Sequence, residues 1–95
     1  MAELMNIGFG NLVHTDKIIA IVTPDSAPAK RLVQRAKQEE QIVDATQGRK
    51  TRSILVMEPD KIVLSALGTD TLAGRFHELA GSREENKWIR NKEGF

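Results

Sequence analysis

Ninety-five residues, 40% apolar and 28% charged, make one small domain of ordinary globular composition. With no cysteine, no tyrosine and only His14 and His77 as imidazoles, the chain has no disulfide or thiolate metal site and little equipment for acid–base catalysis. That inventory disfavours an enzyme, and no cofactor is expected. The net charge of +1 conceals a basic middle: residues 17–52 carry eight cations against four carboxylates, net +4, between flanking segments of −2 and −1.

The first apolar stretch, Leu4 to Leu12, holds two glycines around Phe9, which suggests a strand with a bulge or a close backbone approach. Lys17 to Val22 is β-branched and apolar on both faces and reads as a buried central strand. Its longest apolar run, Ile18 to Val22, is five residues, against the ~20 that a bilayer span needs. Met1 to Met5 lacks the basic lead of a secretory signal, so a cytoplasmic protein with no membrane partner is expected. Ser26 is the preferred N-cap of a helix that tolerates Pro28 in its first turn and runs to about Gln38. Ala29, Leu32, Val33 and Ala36 form its apolar stripe, under a basic cover of Lys30, Arg31, Arg35 and Lys37.

A short strand follows from Gln41 to Ala45, then a turn from Thr46 to Lys50. Arg52 to Met57 and Lys61 to Ala66 form an antiparallel hairpin about Glu58-Pro59-Asp60. Leu72, Phe76 and Leu79 mark the apolar stripe of a second helix, expected to be short or frayed because Gly74 lies inside it. Residues 81–95 read as a charged tail, leaving residues 1–80 as the domain. The fold class expected is α+β: a small, mostly antiparallel sheet with one main helix and a short second one.

Few motifs carry chemistry. Gly8-Phe9-Gly10 lacks the third glycine and the following helix of a dinucleotide site, and Gly48-Arg49-Lys50-Thr51 fails the spacing of a P-loop. Asp44 and Asp60 have no paired carboxylate, and the two histidines read as structural or merely exposed. Arg49, Lys50 and Arg52 crowd a tight turn in which Gly48 lets the backbone bend. Cations on a rigid turn bind phosphate at less entropic cost than cations on a floppy tail. The plain alternatives are a solvated turn and a solvated helix face.

Four ordered blocks, Asn6 to Asn11, Pro24 to Arg31, Asp44 to Arg52 and Ile62 to Ala66, resemble the RemA family of bacterial extracellular-matrix gene regulators. The resemblance covers roughly Met5 to Arg75. It implies a DNA-binding, LytTR-like fold that assembles into a closed, octameric ring with duplex DNA around it. The family's principal DNA-contacting arginine pair corresponds to Arg49 and Lys50. The family often has arginine at the position of Lys17, and it shares Pro28 and Arg31. Two departures matter. Lys50 keeps the charge but loses the planar guanidinium fork, so phosphate contact is expected there and base reading is put in doubt. Gln47 stands where the family usually has an aromatic residue, which puts stacking there in doubt.

The function this implies is transcriptional regulation by multivalent wrapping of double-stranded DNA, through Arg49, Lys50, Arg52, Lys17 and Arg31. The partners expected are DNA and further copies of the chain, with no small-molecule substrate. The rival is a ring-forming interaction scaffold whose interfaces are Leu4–Phe9 and Ile18–Val22. Single-stranded RNA binding ranks lower, because no aromatic residue is interleaved with the basic cluster in the sequence.

Overall fold

A computed structural model describes residues 3–79. The tail expected at 81–95 lies outside the described residues. Strands β1 (Leu4–Asn6) and β2 (Leu12–His14) pair antiparallel, with Met5 opposite Val13. A 3-10 turn over Thr15–Lys17 leads into β3 (Ile18–Val22), followed by helix α1 (Ala27–Gln38) and β4 (Ile42–Asp44). Strands β5 (Ser53–Met57) and β6 (Lys61–Ser65) form the expected hairpin, and helix α2 occupies residues 69–79. The larger sheet has the order β3-β5-β6-β4. Its β3–β5 and β5–β6 pairs are antiparallel, while β4 runs parallel to β6. This is the expected α+β class, with the sheet mixed rather than purely antiparallel.

Alternation along β5 explains the layering. Ile54 and Val56 face α1, packing with Ala29, Leu32, Val33 and Ala36. Leu55 and Met57 face the other way, into a cluster with Met5, Ile7, Val63 and Leu72. The sheet is therefore covered by α1 on one side and by the β1–β2 hairpin with α2 on the other.

Helix α1 begins and ends for local reasons. The Ser26 hydroxyl accepts the Ala29 N–H at 3.1 Å, as expected of the N-cap, with Pro28 in the first turn. At the C-terminus Glu40 turns left-handed at φ 57, and the Gln41 N–H donates to the Ala36 carbonyl at 2.8 Å, which closes a Schellman-type end.

Three expectations are corrected. First, β3 is an edge strand beside β5, not a central one, and Ile19 is 61% exposed. The register shifts between Ile18 and Ala20, so one residue is inserted at Ile19. The insertion lets Ile18 and Ile21 share one core face although three positions separate them. A bulge thus makes an amphipathic edge look apolar on both sides. Second, Leu4 to Leu12 is not one bulged strand but two strands joined by a tight turn over residues 8–11. The close approach at Gly8 is to a side chain, since a Cβ there would lie 3.3 Å from Leu67 Cγ. Third, α2 does not bury the whole Leu72–Phe76–Leu79 stripe. Leu72 is fully buried and Leu79 packs on the core, but Phe76 is exposed. The Arg75 guanidinium donates to the Asn6 carbonyl at 2.8 Å, so the helix turns its 72, 75 and 79 face toward β1 and rotates Phe76 outward. Gly74 does not interrupt the helix.

Candidate nucleic-acid interface

The basic turn is built from the backbone outward. Arg49 N–H donates to the Thr46 carbonyl at 3.0 Å, and Gln47 and Gly48 both have positive φ, 55 and 78. Positive φ at both central positions is the type I′ arrangement. Its entrance is fixed by Asp44, whose Oδ1 accepts both the Thr46 hydroxyl at 2.6 Å and the Thr46 N–H at 2.9 Å. The Thr46 hydroxyl, then the Thr46 N–H and the charge of Lys37, outweigh desolvation and hold the Asp44 carboxyl below its ordinary value.

A depressed folded value means that ionised Asp44 stabilises the turn above the unfolded value, and that this contribution fades as pH falls through the folded one. The Thr46 amide proton resonance is expected to titrate with a midpoint below that of a free aspartate and to lose that titration in Asp44→Asn. A midpoint at or above the free value would contradict the cap.

A second turn has the same construction. Asn11 N–H donates to the Gly8 carbonyl at 3.0 Å, with Phe9 at φ 55 and Gly10 at φ 77. The Asn11 amide also donates to Gly8 O at 2.9 Å and reaches Ala45 O at 3.5 Å, which ties the two turns together. At their tips the Arg49 guanidinium carbon lies 5.5 Å from the centroid of the Phe9 ring. An aromatic residue does therefore sit in the basic cluster, supplied from forty positions earlier in the chain. Spatial adjacency of this kind leaves no mark in local sequence order.

Two buried serines tie the chain at Ile7, just before the Gly8–Asn11 turn, and at Leu67 to the sheet. Ser65 Oγ donates to Ile7 O at 2.8 Å and accepts the Leu67 N–H at 3.0 Å, while Ser53 Oγ donates to Leu67 O at 2.7 Å. Both are fully buried, and no buried side-chain N or O among the described residues lacks a partner.

Of the five cations singled out in the sequence, Arg49, Lys50 and Arg52 stand together and exposed at the entrance to β5. Lys17 lies near the far end of that strand, where its carbonyl accepts the Glu58 N–H at 2.8 Å. The intervening strand separates the two ends by roughly 17 Å. Arg31 lines a different groove of α1, with Arg35 and Gln38. Two cations of the helix's basic cover outside those five, Lys30 and Lys37, line a cavity of about 240 Å³ with Thr51, which Lys50 and Arg52 flank in the chain. Their spacing of seven, two helical turns, is the signal that marks them as one face.

Over residues 4–76 the chain matches the family model described as RemA-like, extracellular matrix regulatory protein A-like. The chain belongs to the RemA-like family. A protein of Pseudothermotoga lettingae is 51% identical over 86 residues, covering 90% of this chain and 94% of its own. Relatives from Fervidobacterium nodosum, 55% identical over 82% of this chain and 84% of their own, and from Dictyoglomus thermophilum, 49% identical over 90% and 99%, are similar. All three carry a regulatory-protein name with no target or ligand in it. The RemA-like chain thus has a regulatory role. Among its described residues no helix is long and apolar enough to cross a membrane.

Proposed function

We propose that this RemA-like protein is a transcriptional regulator that bends duplex DNA around a homo-oligomeric ring, with a LytTR-like domain as the repeating unit. The observation that carries the reading is the pre-ordered turn bearing Arg49, Lys50 and Arg52, exposed on a rigid backbone with Lys30 and Lys37 close behind. Cations so placed suit phosphate oxygens, which fix position along a duplex without reading its sequence. One subunit's patch is a weak polyanion binder. Repetition around a ring raises the effective concentration of each next patch once one has engaged.

A further observation supports assembly. Leu4, Leu12 and Ile19 are each more than half exposed, and burial between copies would remove that apolar surface from water. The family description names extracellular matrix, and we take matrix genes as the targets, with the protein acting in the cytoplasm. The same apolar surface also favours a ring that recruits proteins without touching DNA.

The test is binding to duplexes of increasing length, labelled at both ends for energy transfer. Wrapping predicts affinity that climbs with length over several helical turns, together with approach of the two ends. Length-independent binding, or none, would favour the scaffold.

A further inference from the structure

We propose that Phe9 is a positioning residue that holds the Arg49 guanidinium for anion contact, a role that rests on the DNA-binding reading of the same surface. Nothing in the turn itself calls for phenylalanine. Its backbone is left-handed at φ 55, a region that crowds an L side chain and favours asparagine, aspartate or glycine. Nor does burial explain it, because the ring is 50% exposed. The contact it makes is with Arg49, at 5.5 Å from the ring centroid.

That contact suits a phosphate-binding arginine. The ring attracts the cation through its π face and is no hydrogen-bond acceptor of the ordinary kind, so a guanidinium held over it keeps N–H donors for a phosphate oxygen. An unsupported arginine on a surface turn loses rotamer freedom when it meets its anion. One already resting on an aromatic face has lost much of it beforehand. Phe9 is itself fixed, since the turn carrying it is closed by Asn11 and tied through the Asn11 amide to Ala45.

The experiment uses Phe9→Leu, which keeps apolar bulk without a π face, Phe9→Tyr, which keeps the face, and Phe9→Asn, which suits the turn. In the DNA-free protein, the Arg49 side-chain proton resonances are expected to show an upfield ring-current shift in wild type and Phe9→Tyr, and to lose it in Phe9→Leu. Duplex affinity is expected to fall about two- to fivefold for each engaged copy in Phe9→Leu and Phe9→Asn. The slope against salt should stay unchanged, because no cation is removed. Phe9→Asn should melt no lower than wild type while binding more weakly, an outcome that a structural role alone does not give. In an Arg49→Ala background, Phe9→Leu should cost nothing further. Unchanged affinity in Phe9→Leu and Phe9→Asn, or the same loss with Arg49 absent, would overturn the proposal. If wild type binds no duplex, the DNA reading fails separately, and the ring-current shift still decides whether Phe9 holds Arg49.

Discussion

Replacing Arg49 and Lys50 together by alanine is expected to abolish duplex binding and leave the fold intact. Both side chains are exposed, and the turn beneath them is closed by backbone hydrogen bonding and by the Asp44 cap, neither of which needs the two cations. Apart from the Phe9–Arg49 contact nothing is lost, and the free energy of unfolding should stay within about 1 kcal/mol of wild type. Binding should respond differently. Removing one phosphate-binding cation makes the slope of log affinity against log salt shallower by about 0.9, and the removal recurs in every copy of a ring. Where successive patches act together, loss of the avidity they supply is worth about 10²–10⁴-fold. Electrophoretic or fluorescence titration of the double variant, with its oligomeric state checked by light scattering, decides the matter. Retained binding by an intact oligomer would remove this turn from the DNA path.

The second large effect is on stability. Leu72 is fully buried in the cluster formed with Met5, Leu55 and Met57, so it carries most of the anchoring of α2. Leu72→Ala leaves a cavity there and is expected to cost about 2–5 kcal/mol. In a domain whose whole stability is of order 5–15 kcal/mol, a substantial part of the folded population is lost near physiological temperature. Phe76→Ala on the same helix should cost roughly 1 kcal/mol, because that ring is 38% exposed. Urea unfolding of the two variants separates the sites. Equal losses would mean that the helix rests on both residues, as its simple apolar spacing suggests.

How much of this was legible depended on how local the signal was. Ser26, Pro28 and the stripe from Ala29 to Ala36 describe α1 within a dozen consecutive residues, and the structure agrees to the residue at its cap. The β5–β6 hairpin was equally plain, because Glu58-Pro59-Asp60 separates two apolar runs. The β1–β2 hairpin was not. Its turn places phenylalanine where asparagine or glycine is expected, and no local rule reads Phe9-Gly10 as a type I′ turn. The edge position of β3 was hidden by its bulge, which re-phases the alternation on which a sequence reading relies.

The candidate surface divides in the same way. Arg49, Lys50 and Arg52 are consecutive enough to be seen as a basic turn. The pairing of Arg49 with Phe9 and the bond from the Ser65 hydroxyl to Ile7, beside the turn that carries Phe9, are long-range contacts. Lys30 and Lys37 were within reach of helical periodicity. Their place beside Thr51 follows only from how α1 packs on the sheet. The separation of Lys17 from the turn follows from β5 running between them.

The most direct measurement is the affinity of the wild-type protein for a labelled duplex of several helical turns across a series of salt concentrations. One copy that put all seven of these cations, Arg49, Lys50, Arg52, Lys17, Arg31, Lys30 and Lys37, each on one phosphate would give a log–log slope no steeper than about −6. A repeated patch predicts a straight line clearly steeper than that. A slope of about −6 or shallower, or no binding at low salt, would contradict multivalent wrapping of DNA.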